Sequence, residues 1–219
     1  MSDAEAVVLF EDAALVVCVK PRGVLSAADA SGKRSMADLL APRTVYPVHR
    51  LDRETLGLMV FAKTREAAAA LSAAVGTDGF CKEYFALCET PPTPPQGEMN
   101  DLLYHDRVKN KTYVVRRKRN GVRPARLSYR VLADCGLVLV RLHTGRTHQI
   151  RVQFASRGCP LVGDGKYGSR VNAASPALWS YALTLPGVGG KEERFCALPE
   201  MQGAWEPFSD ALSRLDTLI

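Results

Sequence analysis

The stretch Tyr46-Pro47-Val48-His49-Arg50-Leu51-Asp52-Arg53-Glu54-Thr55-Leu56-Gly57 runs directly into the apolar segment 58–62, LMVFA. Five apolar residues bounded by a glycine and a polar turn predict a short buried strand. Thr64 then stands where a helix cap belongs, and the alanine-rich segment after it predicts a helix to about residue 75. A polar, charged loop therefore delivers its side chains onto a strand–helix unit. Upstream, residues 7–10 and 15–20 read as two strands of a hairpin turning at Asp12, and Lys20-Pro21-Arg22-Gly23 ends the second. Ser35 caps a short helix over 35–40. Downstream, 82–88 reads as a strand, and the proline-rich run 90–97 as a rigid loop within one domain. Strands follow at 112–117, 125–132 and 137–142, then a helix at 147–157 stopped by Gly158 and Pro160. The remainder predicts strands at 179–185 and 194–198 and a terminal helix near 208–218. Without repeats or βαβαβ alternation, this is an α+β pattern with a mainly antiparallel sheet.

Charge is unevenly placed. The chain of 219 residues has 29 Lys and Arg against 23 Asp and Glu, a net +6. Residues 107–130 hold ten of the basic side chains and no acid, which leaves the rest of the chain at 19 against 23. Clustered Lys and Arg gain affinity for phosphates by releasing counterions, so a polyanionic partner is one reading; a solvated basic edge is the other. The strands at 112–117 and 125–132 flank Lys118-Arg119-Asn120-Gly121, and Asn-Gly predicts that they pair as a hairpin carrying this charge.

Composition excludes several classes. A hydrophobic fraction of 47% with 24% charged residues suits a globular chain with a sizeable core, and no apolar run reaches the ~20 residues needed to span a bilayer. The acidic N-terminus lacks the basic region of a signal peptide. Six cysteines form no CxxC pair and have no histidine at ligand spacing, so reduced thiols in a cytoplasmic protein are expected, with no metal site. Gly187-Val188-Gly189-Gly190-Lys191 lacks the spacing of a phosphate loop, and no GxGxxG follows the first strand.

Three clusters carry potential chemistry. In the first, Asp52 lies between Arg50 and Arg53; nearby cations favour the ionised carboxylate, which suits a nucleophile or base and equally a structural ion pair. In the second, Thr144-Gly145-Arg146-Thr147-His148-Gln149-Ile150-Arg151 places cationic side chains at a predicted helix start, a setting that suits a phosphate; a polar cap is the plainer reading. In the third, Leu161-Val162-Gly163-Asp164-Gly165-Lys166-Tyr167-Gly168 has the glycines of a tight loop or of a close ligand approach.

Together these segments resemble the RluA-type RNA pseudouridine synthases. The resemblance rests on His49-Arg50-Leu51-Asp52-Arg53 with Thr55 and Gly57, Lys82-Glu83-Tyr84, TGRTHQIR at 144–151, the loop 161–168, and Lys20-Pro21-Arg22-Gly23 as first motif. It runs from about residue 7 to 200. It implies the pseudouridine synthase fold: a mixed, mainly antiparallel sheet flanked by helices, with the catalytic cleft across the sheet. It also implies isomerisation of uridine in RNA, ribosomal or transfer, without metal or cofactor. By resemblance Asp52 is the essential aspartate, Tyr84 packs on the target base, and Arg151 pairs with the aspartate. Arg50 enters the stack as the uridine flips out, and Leu161 walls the base pocket. Arg53, Arg146, His148 and the basic residues Arg116, Arg117, Lys118 and Arg119 complete the RNA-contacting set. Extruding a base costs a few kcal/mol, and a planar guanidinium fills the gap well.

The chain departs from the family pattern at Leu56, where serine is usual, and at Cys159, where histidine is common. It also lacks the usual valine-glycine ending after Leu87. A single catalytic domain over 1–219 is expected, with no S4-type domain before the first motif, acting as a cytoplasmic monomer.

Overall fold

The computed structural model describes residues 5–187, 191–209 and 212. In chain order the elements begin with β1 (Val7–Glu11), β2 (Leu15–Lys20), α1 (Met36–Leu39), β3 (Tyr46–Pro47), β4 (Leu56–Ala62) and α2 (Arg65–Ala74). They continue with β5 (Cys81–Leu87), β6 (Gln96–Asp106), β7 (Lys111–Val115), β8 (Val122–Ala133), β9 (Leu137–Leu142) and α3 (Gln149–Ala155), then β10 (Leu178–Pro186) and β11 (Glu192–Cys196). The chain divides into two compact units, one of the residues through Lys82 with Trp179–Ala197, the other of Glu83–Leu178 with the residues from Leu198 on.

In the first unit the strand order is β1-β2-β4-β10, with β11 on β10 and the short β3 on β4. Every pairing is antiparallel except β4 with β10, which is parallel at Leu56–Trp179 and Gly57–Ser180. The apolar run 58–62 lies in the strand β4, buried from Gly57 to Ala62. Leu58, Val60 and Ala62 share a core with Leu15, Val17, Leu71 and Phe80, roofed by α2. Thr64 caps α2 by accepting from the Ala67 N–H, as expected. Asp38 accepts from the Ser35 N–H and hydroxyl, which fixes the start of α1. Gly57 is required by space: at φ +111° it passes so close to β10 that a Cβ would stand 2.4 Å from Ser180 O.

The second unit is built on an antiparallel order β9-β8-β6-β7. Here the sequence reading is corrected twice. Residues 96–106, of which 96 and 97 read as the end of the loop and the rest as no element, form the long strand β6; its Gly, Asn and Asp are poor local strand formers, and pairing on both edges overrides that preference. The expected hairpin of β7 with β8 is absent, since each pairs with a different edge of β6. The connection 116–121 instead crosses over β6, and the true hairpins are β6–β7 and β8–β9. Asn-Gly is a local turn signal and is blind to which strand arrives between. Successive β6 side chains alternate faces, and Leu103 packs with Ala125 and with Val152 of α3, so α3 covers one face and Tyr104 lies on the other.

The helix expected over 147–157 is shorter, Gln149–Ala155, entered through His148 at φ +55°. The helix expected near 208–218 lies mostly outside the described residues, and Gly203–Phe208 just before it is a 3-10 turn. No helix among the described residues is long and apolar enough to cross a membrane.

Candidate active site

In the first unit Asp52 sits half-buried on the loop between β3 and β4, and that loop is held from several sides. Ser26 grips Leu51 in both directions: its hydroxyl donates to Leu51 O at 2.8 Å and accepts from Leu51 N–H at 2.9 Å. The carbonyl of Arg53 accepts from Gly23 N–H at 2.9 Å and from Lys20 Nζ at 3.0 Å. Thr55 N–H donates to Asp52 O at 3.0 Å and closes the turn. Residues 20, 23 and 26, the first motif and its continuation, thus immobilise the backbone on either side of Asp52. Such double-sided anchoring keeps a reacting group in one geometry.

Two buried titratable groups hold this loop, Lys20 from the end of β2 and His49 from within it. Lys20 is fully buried, its ammonium spent on Arg53 O and Pro21 O. Burial pushes it down to about 8, against the pull of the Glu54 and Asp52 carboxylates. His49 accepts from the Val60 N–H through Nε2 at 3.1 Å and stands edge-on to Phe80. That bond requires an unprotonated Nε2. Burial, with the Lys82 charge adding to it, pushes the imidazole down to about 3. The neutral ring ties the loop to the middle of β4. Arg50 is exposed beside it, while Arg53, also exposed, donates to Glu54 at 2.8 Å.

In the second unit Arg151 projects from α3 into a buried cluster. Its Nε and Nη2 donate to the two oxygens of Asp164 at 2.6 and 2.8 Å, a fork-on-fork pair with Asp164 only 1% exposed. The guanidinium lies 5.1 Å from the Tyr167 ring. Tyr167 OH accepts from Thr112 N–H at 2.8 Å and shares a hydrogen bond of 2.9 Å with His148 Nδ1. The loop 161–168 is therefore the wall that orients Arg151, a role its glycines did not announce. Tyr84 on β5 and Leu161 are both buried.

The remaining expected RNA contacts fall differently. His148 is buried against Tyr167 and His105 rather than presented to solvent. Gln149 turns its side-chain oxygen back to accept from Arg146 N–H and the Thr144 hydroxyl. With His148, Gln149 and Ile150 all buried, the start of α3 is not the open anion cradle that the polar run suggested. Arg146 is exposed, its Nε donating to Pro124 O. Arg116, Arg117, Lys118 and Arg119 are all exposed on the connection that crosses β6. Lys20, His49 and Asp164 stand in the sequence motifs without a role of their own and Ser26 stands outside them, yet all four hold the candidate residues in place. Among the described residues no group of three or more His, Cys, Asp or Glu is arranged to hold a metal ion.

Comparison with known proteins follows the same lines. Residues 14–156 match the model of a family described as RNA pseudouridylate synthase. An uncharacterized RNA pseudouridine synthase, YhcT of Bacillus subtilis, is 35% identical over 176 residues, covering 74% of this chain and 57% of its own length. The ribosomal large subunit pseudouridine synthase D of Zymomonas mobilis is 32% identical over 194 residues, or 80% of this chain and 60% of its own length. The chain thus spans little more than half the length of these relatives. Two solved human structures share the fold. RNA Pseudouridylate Synthase Domain Containing 4 has TM-score 0.73 at 24% identity over 96% of this chain and 93% of that one. Domain Containing 1 has TM-score 0.76 at 18% identity over 100% and 98%.

Proposed function

The chain belongs to the RluA-type RNA pseudouridylate synthase family, and from that premise we propose that it isomerises specific uridines in RNA to pseudouridine, with Asp52 as the essential residue. Asp52 either attacks the ribose C1′ or abstracts a ribose proton to give a glycal. Either way uracil is released, turns, and rejoins the sugar through C5. The observation that carries this reading is the immobilisation of the Asp52 loop by Ser26, Gly23 and Lys20, a degree of backbone fixation that a surface ion pair does not need.

The other roles follow the family pattern. Arg151, locked in orientation by Asp164, holds the aspartate ionised. Tyr84 faces the base and assists proton removal, with Leu161 in the apolar wall. Arg50 fills the gap left by the flipped uridine, and Arg53, Arg146, Arg116, Arg117, Lys118 and Arg119 contact the RNA around it. No metal or organic cofactor takes part in this scheme. The substrate is ribosomal or transfer RNA, and the relatives named ribosomal large subunit synthases favour the former. The protein acts as a monomer in the cytoplasm.

The test is tritium release from RNA labelled at uracil C5. Asp52→Asn should abolish release while RNA affinity is retained. Undiminished release from the variant would remove Asp52 from the chemistry. Absence of release from the wild-type protein on both ribosomal and transfer RNA would leave a non-catalytic RNA-binding module on the same fold.

A further inference from the structure

The basic run 116–119 is laid over the sheet by topology. Because β7 and β8 flank β6, the chain between them must pass across β6, and it does so on the face opposite α3, over Tyr104. Gly121 ends the crossing at φ +80°, a conformation that side-chain-bearing residues rarely adopt, and it lies beside Tyr104, whose Cε2 a Cβ would meet in ordinary contact at 3.4 Å. Arg119 then lies with its guanidinium carbon 4.7 Å from the Tyr104 ring centroid. Tyr104 pairs directly with Tyr113 on β7, so the two rings share one face, and Tyr113 is exposed. Lys111 at the edge of β7 has its ammonium 6.0 Å from the Tyr113 ring and 5.4 Å from that of Tyr167.

An arginine held against an aromatic ring is unlike a free surface charge. Its donors are fixed in a plane, and its outer side, exposed here, offers a π-like surface on which a base can stack. We propose that Arg119 on Tyr104, with Tyr113 beside it, forms a stacking platform for an unpaired base of the RNA substrate, and that Arg116, Arg117, Lys118 and Lys111 hold the adjoining phosphates. This inference rests on the RNA substrate assigned above. It gives the basic strap a preference for loops and bulges over duplex, because only an unpaired base has a free face to stack.

Binding of two synthetic RNAs of equal length, a hairpin with a uridine-containing loop and a fully paired duplex, tests it. Arg119→Lys keeps the charge and removes the planar fork. It should weaken loop binding by about 5- to 100-fold, the range that loss of one base–side-chain stack produces, and leave duplex binding within about twofold. Tyr104→Leu should cost a comparable factor, the double variant no more than the worse single one, and Tyr104→Phe should bind as wild type does. Loop binding by Arg119→Lys within about twofold of wild type would overturn the platform and leave only charge; so would an equal loss on loop and duplex. Circular dichroism of each variant verifies folding, and should Tyr104→Leu fail to fold, the Arg119→Lys comparison still decides. Tritium release by the wild-type protein is read in parallel. Its absence would remove the synthase reading, while the loop-against-duplex ratio would still decide the platform.

Discussion

Acidification from pH 7 to pH 5 should cost this fold about 2 kcal/mol through His49 alone. The imidazole has an ordinary value of 6.5, and burial pushes it down to about 3 in the folded protein. Its Nε2 must stay unprotonated to accept from the Val60 N–H, and protonation would add a buried cation near Lys82. The folded value is depressed, so above pH 6.5 neither state is protonated and the contribution is fully present. Below 6.5 the unfolded chain takes up a proton that the folded chain refuses, and stability falls by about 1.4 kcal/mol per pH unit. The loss accumulates to about 5 kcal/mol near pH 3, where the folded state also begins to protonate. Lys20 does not contribute in this window, because from a folded value of about 8 downward it is charged in both states. Urea unfolding at a series of pH values, compared between wild type and His49→Gln, isolates the effect, since every other titration cancels in the difference. The glutamine oxygen can take the Val60 N–H but does not titrate. Wild type should lose about 2 kcal/mol more than the variant between pH 7 and 5. Parallel curves would refute the argument. If the variant does not fold, NMR titration of the wild-type imidazole decides, and a His49 value near 6.5 would refute it equally.

Asp164→Asn removes the counter-charge from buried Arg151 and should destabilise the fold by about 3 kcal/mol, read from the urea midpoint; a change below about 1 kcal/mol would contradict the importance of the pair. Gly57→Ala should prevent folding or cost several kcal/mol, since its Cβ collides with Ser180 O, whereas Gly168→Ala, at φ +99° but in open space, should cost only about 1 kcal/mol in thermal unfolding. Ser26→Ala leaves the buried Leu51 N–H and C=O without their shared partner. It should cost about 2 kcal/mol and lower the rate of tritium release more than RNA affinity, because it loosens the Asp52 loop rather than the RNA surface.

The legible parts of the fold are those whose signals are local. The run 58–62 is a buried strand because it is short, apolar on both faces and bounded by Gly57 and the polar Lys63, and Thr64 caps α2 through the N–H three residues away. The order of motifs around Asp52, Tyr84 and Arg151 identified the family for a similar reason, since the residue types at fixed spacings are themselves the signature. The illegible parts depend on partners distant in the chain. β6 has weak intrinsic preference and exists because β7 and β8 satisfy both of its edges. Asn120-Gly121 announces a turn, yet the strand that intrudes beside it decides that the turn is a crossing rather than a hairpin.

The candidate site divides in the same way. Sequence alone determined which carboxylate, which arginines and which tyrosine are set apart, and that a basic segment of 24 residues makes an otherwise acidic chain cationic. Only the tertiary structure decided what holds them. Lys20 reaches Arg53 across 33 positions and Ser26 reaches Leu51 across 25, while Asp164 takes the fork of Arg151 and Arg119 is pressed onto Tyr104. It also withdrew His148 from solvent. A hydrogen bond or a stacked ring is specified by position to within an ångström, and position between residues far apart in sequence is set only when the core has packed.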